Sequence, residues 1–428
     1  MTHSDRFTPP SISVALAGGV TLGAWGVLAW RSQGEEAMLG GTLATMAVAW
    51  AAVIWAMVRA SPRDGTSLLV FGIGFRIVAF AAQPVMEDDH YRFLWDGYRF
   101  ALTGNPYAGA PLESFNDPTV PPAFQEVLNH INHPDLPTIY GPVFEWAFRL
   151  SHAVAPGKLW PWKLILFAAE FVVIALLWRG LPVGGRLLLV WCPLAIFETG
   201  FNAHPDALAI ALLLAAWWFG RRERLVLAGV AVGLALAAKV FALLLAPFVL
   251  WRLGRRAWFA AGVAVVTLYL PFWLRGSAAD LQGLRAMAVE WEFNSSMHAV
   301  VAAVTSPAMA RVLCGLIFIS VWLAIFRRWS LTSGESLPPG EWIFGAFLLL
   351  SAVANPWYCL WLWPFVAVRP SPTGIAALAA VSLAYVTGLN LGDASLGNFG
   401  HPVWLRPVEF GAIALVAAWQ IGRRKLRP

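Results

Sequence analysis

Apolar runs of membrane-crossing length follow one another along this chain, separated by short polar and basic segments. An α-helix needs about 20 apolar residues to cross a bilayer, and three such runs open the chain, at 11–30, 38–58 and 66–85. A polar segment then extends from Met86 to about Thr138. The next apolar stretch, Ile139–Ala155, is short and carries Glu145, Arg149 and His152, so it predicts a juxtamembrane or re-entrant helix that stays on one side. Spans follow at 160–178, 186–201 and 205–220. The stretch Leu225–Trp251 must cross and return, because arginines flank it on both sides, yet it is too short for two full spans. It therefore predicts two short or broken helices with an apex near Lys239. A span at 257–274 leads to a polar loop from Arg275 to His298 and a return that ends at Arg327 and Arg328. Short segments at 341–354 and 357–369 turn at Asn355-Pro356-Trp357-Tyr358, and spans at 373–391 and 403–421 finish the chain. The expected architecture is all-α and polytopic, with about twelve to fourteen crossings. One transmembrane domain over 1–428 accommodates it: first spans 11–85, an outer loop 86–158, and the remaining spans 159–428.

Composition agrees with the pattern. The 428 residues are 59% hydrophobic and 13% charged, with mean hydropathy +0.64, whereas soluble domains are roughly half apolar and a quarter charged. The net charge of +6 does not mark a nucleic-acid protein, because the basic residues sit in short clusters between spans. Such clusters mark the cytoplasmic side. Arg59 with Arg63, Arg179 with Arg186, Arg221 to Arg224, Arg252 to Arg256, Arg327 with Arg328, and Arg423 to Arg427 all fall inside in one register. That register puts both termini in the cytoplasm and 86–138, 202–206, 275–298 and 392–402 outside. The polar start Met1–Pro10 precedes a run long enough to span, so no cleavable signal is expected. Cys192, Cys314 and Cys359 lie in apolar segments without metal-type spacing and receive no role.

The same register places most acids, and every histidine except His3, on the outer side. A transporter would gather ionisable groups near mid-bilayer, so the asymmetry favours an outward-facing active site. The densest cluster is Glu87-Asp88-Asp89-His90-Tyr91-Arg92-Phe93-Leu94-Trp95-Asp96-Gly97. If helical from about Asp88, Asp89, Arg92 and Asp96 share a face at spacings of three and four. Such carboxylates can serve as general base or hold a divalent metal; equally, they can cap an interfacial amphipathic helix. His130, Asn132, His133 and Asp135 lack the spacing of a common zinc site, and no metal is assigned. His204 and Asp206 open a span on the outer side, where a plain helix cap would look the same. Lys239, an amine in an apolar stretch, must meet an anion, either a protein carboxylate or a phosphate. Arg275, Arg285 and His298, around Trp291-Glu-Phe-Asn294-Ser-Ser-Met-His298, are further phosphate candidates.

Together these segments resemble the GT-C class of polyprenyl-phosphate-sugar-dependent glycosyltransferases, in particular glycosyltransferase family 87 and related bacterial mannosyltransferases. The marks are the acidic stretch with Gly104-Asn105-Pro106-Tyr107, Ile131-Asn132-His133-Pro134 through Tyr140-Gly141-Pro142, and Phe201-Asn202-Ala203-His204-Pro205-Asp206. Leu234–Lys239, Phe293-Asn294-Ser295 and Asn355-Pro356-Trp357-Tyr358 also match. The resemblance implies transfer of a hexose or pentose, with inversion, from a polyprenyl phosphate to an acceptor hydroxyl on a lipid or glycan. The reaction would take place on the outer face of the plasma (inner) membrane, without a cofactor. It assigns catalysis to Asp89, supported by Asp88, and donor phosphate binding to Lys239 and the outer arginines. Substrate binding is carried over to Arg92, Asp96, His133, Tyr140, His204, Asp206, Lys239, Arg275, Asn294, His298, Asn355, Trp357 and Tyr358. The chain departs from the pattern in having Tyr140-Gly141-Pro142 where many relatives carry a proline pair. It also has two spans before the one that leads into the acidic loop. A lipid-linked-sugar flippase, which needs a continuous polar path, is the alternative, and a non-catalytic envelope subunit is a third reading.

Overall fold

A computed structural model describes residues 10–34, 38–276, 281–332 and 337–425. His3, Arg427 and positions 277–280 of the expected outer loop lie outside the described residues. Among the described residues the chain is helical, and its one β contact is an isolated parallel bridge between Phe293 and Val353. Seven helices are long and apolar enough to cross a membrane: Ile12–Arg31, Leu39–Arg59, Pro62–Ala81, Trp160–Gly180, Val183–Phe201, Arg255–Trp273 and Pro307–Ser330. Five shorter apolar helices join them: Asp206–Gly220, Leu225–Leu236, Gly340–Leu350, Pro356–Val368 and Pro372–Tyr385. The protein is an all-α polytopic membrane protein.

The described chain forms two compact units. The first comprises Met1–Met86, Leu177–Phe201 and Asn355–Pro428. Its helices meet through small residues, as helices in lipid must when no hydrophobic effect drives them together. A Cβ on Gly72 would come within 2.9 Å of the Val190 carbonyl, and one on Gly185 within 2.3 Å of the Ala367 carbonyl. Buried Arg76 donates to the carbonyls of Gly72 at 3.0 Å and Val190 at 2.7 Å. The expected span 186–201 is not one regular helix. It runs Val183–Trp191, breaks at Pro193, and ends in a π-helical turn, Ile196–Phe201, that buries Glu198. Asn355, Trp357 and Tyr358 belong to this unit, on and before the 3-10 turn Pro356–Trp361, where the two rings meet edge to face at 5.8 Å.

The second unit comprises Glu87–Leu176 and Asn202–Ala354. The helix Leu225–Leu236 lies against Arg255–Trp273 through Gly229 and Gly233, whose added Cβ atoms would fall 2.2 and 2.6 Å from the carbonyls of Ala257 and Ala261. It breaks where the sequence predicts: Lys239 is extended, Val240–Leu244 is a 3-10 turn, and Ala246–Trp251 completes the return. The stretch expected to stay outside becomes a 13-residue helix, Pro142–Val154, too short to cross. It packs against the acidic helix, Asp89–Thr103. A Cβ on Gly97 would stand 2.6 Å from the Phe148 carbonyl, so the crossing needs glycine there. The segment after the acidic helix's start has its own core, in which Trp95 and Tyr98 pack against Phe124, Val127 and Leu128 of the helix Pro122–Asn129. A helix, Leu281–Val289, occupies the segment read from sequence as a polar loop, and a separate short helix, Met297–Val304, begins the expected return.

Candidate active site

The acidic helix begins at Asp89, and Asp88 is its N-cap residue. The Asp88 side chain makes no capping bond, so the reading of these acids as simple helix caps fails at Asp88. Both carboxylates turn instead to Asn132. Its amide Nδ2 donates to Asp88 Oδ1 at 2.6 Å and to Asp89 Oδ1 at 3.0 Å, one proton to each. The second oxygen of Asp89 faces Tyr140, whose hydroxyl donates to Oδ2 at 3.4 Å. His204 Nε2 stands 3.7 Å from the same oxygen, close but beyond hydrogen-bond length. The Asp89 side chain is 19% exposed, whereas His204 is fully buried.

The loops that carry these groups are held in uncommon backbone. Met86, His133, Ala203 and Asn294 have positive φ of 69°, 44°, 63° and 46°. Non-glycine residues rarely adopt such angles, and they persist only where surrounding contacts enforce them. At Ala203 the enforcing contact is visible: Trp162 Nε1 donates to its carbonyl at 2.8 Å, fixing the residue before His204. At His133 the carbonyl accepts from Arg92 Nη2 at 2.9 Å, and the imidazole stacks on Trp291 with centroids 4.6 Å apart. Arg92 Nη2 also donates to the Leu136 carbonyl at 3.1 Å, tying the loop to the acidic helix.

Electrostatics separates the two acids. Burial and the charge of Asp89 push Asp88 up to about 6, against the bond from Asn132. Burial also acts on Asp89, but His204, Asn132 and Arg92 outweigh it and bring Asp89 down to about 2. At neutral pH Asp89 is a fixed anion, while Asp88 sits near the pH at which it can take a proton. Burial pushes Asp96 up to about 6 despite Arg92, Thr138 and Arg99. Tyr140 is raised well above its ordinary value by burial and the nearby Asp89, Asp96 and Asp206, so it remains a donor. Burial, with Lys163 and His204, lowers His90 to about 4 in spite of Asp89, leaving it neutral.

Other predicted residues are distributed unevenly. Of the two anions expected for Lys239, the structure supplies the carboxylate: Nζ lies 2.6 Å from Asp206 Oδ1, with Asp206 fully buried. Arg275 donates to the Gly104 carbonyl at the end of the acidic helix. Asn294 and His298 are buried in the segment after Trp291, and Arg285 is exposed on Leu281–Val289. Asn355, Trp357 and Tyr358 belong to the other unit. Among the described residues no group of three His, Cys, Asp or Glu side chains is arranged to hold a metal ion.

The sequence reading gave no role to three contributors. Asn132 was legible only as part of a motif, because its partners lie 43 and 44 residues away. Trp162 looked like an interfacial aromatic. Lys163, 2% exposed in the first turn of Trp160–Leu177, carried the signal that singled out Lys239: an amine in an apolar run.

No curated protein and no solved structure matches the chain. One family does, and its match covers more than half of the chain, from the first span through the acidic helix, the Asn132 loop, His204 and the break at Lys239. On that match over residues 12–255, the chain belongs to the MptA_B family, described as alpha-(1->6)-mannopyranosyltransferase, N-terminal domain.

Proposed function

We propose that this membrane glycosyltransferase moves a mannosyl residue from a polyprenyl phosphate to a hydroxyl of a glycan or lipid acceptor. The transfer would occur on the outer face of the plasma membrane and invert the anomeric carbon. The observation that carries this reading is the clamp at Asn132, which holds one ionised and one titratable carboxylate side by side at the start of an outer helix. In the proposed step the acceptor oxygen forms a bond to C1 as the bond from C1 to the phosphate oxygen breaks. The bonding pair leaves with the polyprenyl phosphate, and the acceptor proton passes to the carboxylate pair.

Asp89 receives the hydroxyl, because it stays ionised at neutral pH. A carboxylate with so low a pKa is a weak base in the resting state, but the hydroxyl becomes strongly acidic as its oxygen bonds to C1. Catalytic proton acceptors work best near the operating pH, and Asp88 meets that condition. Asp88 is therefore the supporting acid that shares the proton. Tyr140 and His204 hold Asp89 in place, and buried Asp206, paired with Lys239, sets the floor beside Tyr140.

Purified protein in detergent, given a panel of polyprenyl-phosphate sugars and a mannoside acceptor, tests the assignment. Transfer from polyprenyl-phosphate mannose, with inversion seen by NMR of the product, is the expected result. Transfer only from a nucleotide sugar, or retention at C1, would overturn it.

A further inference from the structure

Three arginine clusters, far apart in the chain, meet at one end of the second unit. Arg221, Arg222 and Arg224 follow the helix Asp206–Gly220. Arg252, Arg255 and Arg256 flank the turn into Arg255–Trp273, and Arg327 and Arg328 lie in the last turn of Pro307–Ser330. A topology signal needs only positive charge in each loop. It does not need the loops to touch, and here packing brings them together.

A Cβ on Gly220, at the end of Asp206–Gly220, would lie 2.9 Å from the Leu253 side chain, so the first two clusters are neighbours. Gly229 faces Ala257 and Gly233 faces Ala261, so Leu225–Leu236 and Arg255–Trp273 run parallel and start side by side. Arg252 reaches the third cluster. Its Nη2 donates to the carbonyls of Trp329, at 3.1 Å, and Thr332, and its guanidinium lies 4.2 Å from the centroid of the Trp329 ring.

The face they form is ordered and strongly positive. Arg222 sits 3.6 Å over Trp218 and Arg221 5.2 Å over Trp217. The turn between the helices is fixed, with Glu223 at a positive φ of 57° and Arg224 N–H donating to the Phe219 carbonyl at 3.1 Å. Arg222, Arg224, Arg255, Arg256, Arg327 and Arg328 are exposed, and among the described residues no carboxylate forms an ion pair with any of them. Against them stand Glu223 and, at the start of Gly340–Leu350, Glu341. Val226, Leu227, Trp258 and Phe259, in the first turns of the two parallel helices, are apolar and exposed. Guanidinium groups beside such a surface match a lipid whose phosphate and acyl chains lie next to each other.

We propose that this arginine face binds an anionic phospholipid carrying two phosphates in one headgroup, of the diphosphatidylglycerol class. The inference does not depend on the reaction proposed above. The face lies away from the carboxylates: Asp206, which acts on Tyr140, and Arg221 stand at opposite ends of one 15-residue helix. A guanidinium fork takes two phosphate oxygens at once. The turns Arg221–Arg224 and Arg252–Arg256 each supply exposed guanidinium for one phosphate, and the contact of Gly220 with Leu253 sets the turns side by side. A lipid with a single phosphate would engage one turn and leave the other unbalanced. A bridging lipid would also brace the outer ends of the helices that carry Asp206 and the break at Lys239.

The test titrates delipidated full-length protein in neutral detergent with tetraoleoyl diphosphatidylglycerol and reads bound lipid by native mass spectrometry. The parent should bind it about tenfold or more tighter than dioleoyl phosphatidylglycerol, because the second phosphate binds within the same molecule. Arg222→Gln with Arg255→Gln, one from each turn, should weaken binding by about tenfold or more. Arg222→Lys with Arg255→Lys, which keeps the charge but not the fork, should lose less. Arg224→Gln with Arg256→Gln should act like the first pair, which keeps the test open if that pair does not fold. Arg59→Gln with Arg423→Gln removes the same charge from the first unit and should leave binding within about twofold of the parent. Equal losses in the two units would reduce the effect to general charge attraction and overturn the site. Phosphatidylglycerol bound as tightly as diphosphatidylglycerol, or displacement of the lipid by inorganic phosphate, would overturn the two-phosphate assignment.

Discussion

Asp88 and Asp89 are adjacent in sequence, share one amide and yet titrate about four units apart, one near 6 and the other near 2. The cause is position rather than chemistry, since Asp89 collects His204, Asn132 and Arg92 while Asp88 keeps the burial and the repulsion. For Asp88 the folded pKa lies above its ordinary value of 3.8. Between those values the folded protein binds more protons than the unfolded chain, so this group's contribution to stability falls as pH rises through that window. Asp88→Asn should therefore raise the thermal midpoint at pH 7.5, with about 1–2 kcal/mol of stabilisation. The gain should vanish below about pH 4. Melting curves of both proteins across that range check the sign, and a destabilised variant at pH 7.5 would refute the assignment. In activity, kcat/KM of the parent should rise through an acid limb near pH 6, which Asp88→Asn should abolish. At this scale the sequence was half legible. The acids and His204 were visible as motif residues, but their sorting depends on Asn132 and on the Trp162 bond to Ala203, which join segments far apart in the chain.

At the scale of elements, the apolar pattern located the break at Lys239 and the short helix Pro142–Val154, because run length and flanking charge are local properties. It did not reveal the π-helical turn at Ile196–Phe201, the helix Leu281–Val289 or the separate start of the return at Met297–Val304, where tertiary contacts decide the backbone. The departure at Tyr140-Gly141-Pro142 has a steric cause. A Cβ on Gly141 would lie 2.2 Å from the Ala237 carbonyl, which also accepts from Val143 N–H at 3.1 Å. Gly141→Ala should push the Pro142 helix off the end of Leu225–Leu236 and displace Tyr140. We expect a loss of about 2 kcal/mol or more and transfer reduced more than donor binding, read by thermal midpoint and turnover. The break at Lys239 makes a second prediction. Lys239→Met leaves Asp206 charged and buried, at a cost of about 3–5 kcal/mol. Adding Asp206→Asn should recover much of that loss. A double variant as unstable as Lys239→Met alone would show that the ion pair is not what Lys239 provides.

At the scale of the whole molecule, the register of basic clusters is the basis on which we propose that the carboxylate site lies outside. Single cysteines at Thr119, Ser395 and Thr332, in a chain freed of Cys192, Cys314 and Cys359, test it with a reagent that cannot cross the membrane. All three positions are exposed. Thr119 and Ser395 should label in intact cells, and Thr332 only after permeabilisation; the reverse pattern would turn the site to the cytoplasm. Hydropathy and arginine placement made the architecture legible, since lipid imposes both on the sequence directly. The chemistry needed family membership as well, because an acidic outer helix alone fits several functions. The account centres on Asp89 as the group that receives the acceptor hydroxyl. The most direct measurement is turnover by Asp89→Asn with polyprenyl-phosphate mannose, taken alongside donor affinity. Asparagine keeps the size and can still accept from Tyr140, so folding and donor affinity should stay within about twofold of the parent. Turnover should fall by about a thousandfold, within the range a positioned proton acceptor supplies. Turnover close to the parent's, from a folded variant that binds donor normally, would contradict the account.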